Sequence, residues 1–193
     1  MAINLVESIQ TKLNYPPLQK IDPNTQEVKA DDMKPDEDRF SQAAIPAILT
    51  GLFKYSTTDE GAENILRGDI STNWVSRIFG NTADEVIQKI TSYTQIDSDQ
   101  SGQMNKIAEE AVRIVRENIN PEGTMMDVKN FMSSQPKTIL LYLPEALHMG
   151  EFLQDTTLDD NTNKMEGPIS SLMHKIGSAF SNPASEEEVN TKQ

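Results

Sequence analysis

The chain has 193 residues, of which 17 are basic and 30 acidic, for a formal net charge of −13, and it has no cysteine. Disulfides, thiolate zinc sites, iron–sulfur clusters and a cysteine nucleophile are therefore excluded. The acidic excess argues against sequence-independent binding to nucleic acid, because nothing would neutralise the phosphates. Gly61 and Gly68, the closest pair of the nine glycines, stand seven residues apart. That is too far for the glycine-rich phosphate loops or the G-x-S-x-G nucleophile elbow.

Residues 4–13 predict a short amphipathic helix, with Asn4 as its cap and Leu5, Val6, Ile9 and Leu13 along one face. Tyr15-Pro16-Pro17 ends it, since proline cannot continue a helix. The segment 1–14 lacks the basic and apolar regions of a signal peptide, so a cytoplasmic location is expected. Residues 15–38 show no sustained period and include Pro23 and Pro35, and 22–38 carry a net −5. They predict an acidic linker or an arm wrapped over the surface.

From residue 39 to 154 the pattern is that of a helical core. Ala44, Ile45, Ile48, Leu49 and Leu52 recur at helical spacing, with Pro46 expected at a kink or a first turn. Thr57-x-x-Glu60 and Thr82-x-x-Glu85 form capping-box patterns, and Ser71 or Thr72 is placed to cap the helix between them. Gly68 and Gly80 mark helix ends. The clearest period covers 103–119, where Met104, Ile107, Ala108, Ala111, Ile114, Val115 and Ile119 share a face. Glu109 precedes Arg113 by four residues, the spacing of a helix-supporting ion pair. Thr124-x-x-Asp127 opens a further helix, and the apolar run 139–143 lies between Pro136 and Pro144, which favours two short helices over a strand.

Residues 155–168 form a second acidic linker. Ile169, Leu172, Met173, Ile176 and Phe180 then line one face of a predicted helix over 169–180, and 181–193 have the composition of a disordered tail. Twelve residues make a helix too short to be stable alone in water, so this one needs a surface. Its own core, a second copy or another protein would serve. A membrane surface fits least, because Lys175 is its only fixed positive charge. No apolar run approaches the roughly 20 residues of a membrane span.

Ala44-Ile45-Pro46-Ala47-Ile48-Leu49, Gly51-Leu52, Asp59-Glu60-Gly61-Ala62, Ile65-Leu66 and Ile78-Phe79-Gly80 resemble a bacterial helical family of unknown function related to the YidB-like proteins. The likeness covers roughly residues 40–135 and includes an internal echo, Asp59-Glu60-Gly61 against Pro121-Glu122-Gly123. It implies an all-helical fold and, because that family has no established activity, supplies no catalytic residues. The chain departs from that family in lacking its glycine-rich segments and in adding the acidic arm and tail.

Two motifs bear on metal chemistry. Asp97-Ser98-Asp99-Gln100-Ser101-Gly102 matches the start of a calcium loop, but the position of the bidentate glutamate is Ala108, so a turn with capping oxygens is expected. Glu145-x-x-His148 has the spacing of one half of a di-iron site, but the second histidine, His174, has Ser171 three residues before it. No metal site, cofactor or catalytic residue is predicted. The sequence predicts an all-α bundle of about six or seven short helices with tethered N- and C-terminal amphipathic helices. Its function is predicted to be a non-enzymatic protein-interaction or assembly module, contacting a protein partner or a second copy through both terminal helices, with Ile169, Leu172, Met173, Ile176 and Phe180 as the named contact residues. A small-ligand or metal-binding regulator is the alternative, and a hydrolase stands third.

Overall fold

The computed structural model describes residues 3–22, 24–25, 28, 35–68, 73–96 and 99–152, with side chains through residue 150. These residues form α1 (Leu5–Leu13), α2 (Asp36–Ser56), α3 (Asp59–Arg67), α4 (Trp74–Phe79), α5 (Ala83–Thr94), α6 (Ser101–Glu117), α7 (Met125–Ser133), α8 (Pro136–Leu140) and α9 (Met149–Phe152). Single 3-10 turns fall at Gly80–Thr82 and Glu145–Leu147. Among the described residues there is no strand, and no helix is long and apolar enough to cross a membrane. The predicted helical segment 169–180, with its five apolar positions, lies outside the described residues.

α2 is the axis of the bundle. Every residue from Phe40 to Phe53 is buried, with α3 to α8 packed around it. A helix enclosed on all sides must satisfy its polar side chains internally. Thr50 donates to the Pro46 carbonyl at 2.7 Å and Ser56 to the Phe53 carbonyl at 2.6 Å. Gln42 reaches outward to the arm. Gly51 lets α4 approach closely, since a side chain there would run into the Phe79 ring.

The helix starts at Asp36, three residues before the expected start of the helical core at 39. Asp36, Glu37 and Asp38 occupy its first turn, where carboxylates meet the positive end of the helix dipole. Three acids of the 22–38 segment thus belong to a helix end. Pro46 consequently sits deep inside α2 and not in a first turn, where it leaves the Gln42 carbonyl without its usual N–H donor.

α1 is seated on α6, with further contacts to α2 and α8. Leu5, Val6 and Ile9 are fully buried, contributing about 1.5–3 kcal/mol each through removal of apolar surface from water. Asn4 caps the helix by accepting from the Val6 N–H at 3.1 Å. The Gln135 carboxamide, 130 residues away, accepts the Leu5 N–H at 3.1 Å and donates to the Ile3 carbonyl at 3.0 Å. Of the two terminal segments expected to reach a partner, α1 therefore has its apolar face occupied by its own core.

The following arm wraps the surface over 15–22. Gln42 Oε1 accepts the Gln19 N–H at 2.7 Å while its Nε2 donates to the Gln19 carbonyl at 2.9 Å. The Ile21 N–H donates to the Leu141 carbonyl at 2.9 Å. Tyr15 tilts against Phe40 with ring centroids 6.4 Å apart, and burial, aided by the charge of Glu37, pushes its phenol pKa up.

Caps differ from the sequence patterns in detail. α3 is capped by Thr58, whose hydroxyl accepts the Gly61 N–H at 2.9 Å, one residue after Thr57. Thr82 makes no cap, because its hydroxyl donates back to the Phe79 carbonyl and a 3-10 turn leads into α5. Asn73 caps α4. Thr124 and Asp127 do form a reciprocal capping box at α7. The Gly61 and Gly123 echo has a shared cause: a side chain at either would collide with a nearby carbonyl, of Tyr55 or of Asn120.

Candidate functional site

α6 carries the described surface feature with the most chemistry. Its outer face presents Lys106, Glu109, Glu110, Arg113 and Arg116, and together with Leu13, Gly68, Trp74 and Val112 these line a cleft of about 250 Å³. The floor is apolar, because Trp74 and Val112 are almost wholly buried.

The polar groups of this face are largely committed to one another. Arg113 holds Glu110 through two nitrogens and Glu117 through a third. Hydrogen bonding to Glu110, with the charges of Glu110 and Glu117, raises the guanidinium pKa against a smaller desolvation effect. Glu109 instead accepts from Asn105 Nδ2 at 2.6 Å, so the expected Glu109–Arg113 pair is replaced by Glu110 and Glu117. Asn105 Oδ1 in turn accepts the Trp74 N–H at 2.7 Å, tying the start of α4 to α6. Arg116 donates to the Leu66 carbonyl at 3.1 Å and the Gly68 carbonyl at 3.4 Å, closing the C-terminal end of α3. A cation there also complements the helix dipole. Gly68 accommodates this with φ +58 and no side chain to strike Arg116.

Such a cleft is smaller than the roughly 300–1,000 Å³ of typical small-molecule sites. What it offers is an apolar notch beside Leu13 with a rim of mutually paired charges.

The two metal motifs are placed as follows. Asp97 and Ser98 lie outside the described residues. Asp99 accepts the Ser101 N–H at 2.9 Å, and hydrogen bonds from the Ser101 hydroxyl and backbone lower its carboxyl pKa. Ala108 is fully buried in the core face of α6, away from any role as a ligand. Glu145 begins a 3-10 turn that His148 ends in the left-handed region at φ 48, its N–H donating to the Glu145 carbonyl at 2.8 Å. The pair is thus not stacked one turn apart on an α-helix, the arrangement its spacing suggested. His174 lies outside the described residues, among which no three histidine, aspartate or glutamate side chains gather as a metal site.

The intramolecular contact made by α1 carries no sequence motif at its receiving end. Gln135 follows Ser133-Ser134 in what looks like an ordinary helix break, and only the tertiary structure brings it to Leu5. No family model matches the chain, and no curated protein or solved structure shows significant similarity to it.

Proposed function

We propose that this chain is a non-enzymatic protein-interaction or assembly module, soluble and cytoplasmic, whose contact element is the apolar face Ile169, Leu172, Met173, Ile176 and Phe180. The observation that supports this is the treatment of α1. A short amphipathic helix, too brief to persist alone, is received by the bundle with Leu5, Val6 and Ile9 fully buried and its end capped by Gln135. The 169–180 segment has the same need for a receiving surface, and its linker, 155–168, is long enough to present it to another molecule. Kinship with the YidB-like helical proteins belongs to this proposal, supported by the paired glycines that follow α2 and α6. The small cleft and the mutual pairing of its charges favour an interaction surface over a ligand-binding regulator.

In the full chain, Leu172→Asp with Ile176→Asp is expected to reduce the mass measured by sedimentation, or to release a specific co-purifying protein that rebinds the unmodified chain once purified. Helical circular dichroism and melting temperature should not change. An unaltered mass together with an unaltered set of co-purifying proteins refutes the proposal.

A further inference from the structure

The two terminal segments share an apolar signature. Leu5, Val6, Ile9 and Leu13 are separated by intervals of one, three and four residues, and so are Leu172, Met173, Ile176 and Phe180. A residue of capping type precedes each set, Asn4 in one case and Ser171 in the other. The match extends to the polar positions: Glu7, Thr11 and Lys12 are exposed on α1, and their counterparts His174, Ser178 and Ala179 include no large apolar side chain.

We infer that the α1 groove on α6 is a receptor for both segments, and that residues 172–180 of the same chain occupy it when α1 leaves. This rests on the reading of the 169–180 face as a contact element and adds the surface it takes when α1 is absent. In that register the Leu172 N–H takes the position of the Leu5 N–H on Gln135. Phe180 takes the position of Leu13, where the adjoining cleft of about 250 Å³ gives the larger ring room. Residues 153–171 supply 19 linking residues, about 60–70 Å when extended. A domain of this size is only ~40 Å across, from a radius of gyration of about 15 Å. Tethering on this scale gives millimolar effective concentrations, which favours the segment of the same chain over that of a second copy.

α1 is the stronger occupant for a visible reason. Gln10 donates to the Pro16 carbonyl at 2.9 Å, whereas its counterpart, Gly177, has no side chain and weakens a helix. Exchange keeps the groove covered when α1 detaches.

The absence of native cysteine makes the test direct. Lys106→Cys at the cleft is combined with Ser181→Cys beside Phe180 in the full chain, and intrachain disulfide formation is timed under mild oxidant. Weakening α1 with Leu5→Ala and Ile9→Ala should speed it at least ~5-fold, and adding Ile176→Asp should return it to the rate of a Lys106→Cys/Lys192→Cys control. Should that background lose its helical signal, Gly177→Gln with α1 intact is the second arm and should also speed the reaction. Rates indifferent to α1, to Ile176→Asp or to Gly177→Gln overturn the inference. So does a disulfide that joins two chains on mixing tagged populations. Because the readout is a disulfide within one isolated chain, it fails independently of partner capture or sedimentation.

Discussion

α2 and α6 are the two longest helices among the described residues, and they solve burial in opposite ways. α6 is a clear amphipath: its inner face packs on α1 and α2, while Arg113, Glu110 and Glu117 pair outside. α2 has a weaker pattern, with Ser41, Gln42, Thr50 and Gly51 interspersed among alanines and isoleucines, yet Phe40 to Phe53 are buried without interruption. Small and internally bonded residues let neighbours approach an axial helix on every side, so a modest period conceals the most enclosed element of the fold. α6 keeps water on one face, where Arg113 and Glu117 stay about half exposed while paired.

The sharpest way to break this comparison is to truncate one side chain in each helix. Leu49→Ala in α2 removes a fully buried side chain and is expected to cost ~2–5 kcal/mol through lost burial and the cavity left behind. Glu117→Ala on α6 should cost under ~1 kcal/mol, because its pair with Arg113 is about half exposed on both sides and exposed ion pairs contribute little. Urea denaturation of the two variants measures both, and comparable losses would contradict the distinction.

Between these extremes lies the contact that joins α1 to the bundle. Gln135→Ala strands the Leu5 N–H and the Ile3 carbonyl, and a buried group left unpaired costs about 1–3 kcal/mol. The loss should appear as faster amide exchange confined to α1.

The smallest effect concerns the exposed cap of α7. Hydrogen bonds from the Thr124 N–H and hydroxyl hold the Asp127 carboxyl below its ordinary value of 3.8. A depressed folded pKa gives stability that is present above 3.8 and lost as pH falls from there through the folded value. Asp127→Asn should flatten the pH dependence of melting in that acid range and leave it unchanged near neutrality.

Elements with a local cause were legible in advance. The Asn4 cap, the Thr124/Asp127 capping box, the period of α6 and the short helices around 139–143 all follow from residues a few positions apart. Errors arose where two local signals competed. Thr57 and Thr58 are adjacent hydroxyls, and the second makes the cap because its hydroxyl lies against the Gly61 N–H. Glu109 and Glu110 are adjacent carboxylates, and Asn105 claims the first. For the candidate site, the charged stripe on α6 was visible as a sequence period, but Leu13 and Trp74 reach it from α1 and α4, and Gly68 from the end of α3.

Sequence alone therefore determined the all-helical class, the acidity of residues 22–38 and the short apolar face of α1. Helical period and capping chemistry act over three or four residues, a range that a linear pattern records. Tertiary structure decided that the weakly patterned α2 is the axis, that Arg116 closes α3 and that Gln135 holds α1 across 130 residues of chain. Those outcomes depend on which surfaces exclude water together, a property of the assembled bundle and not of any one segment.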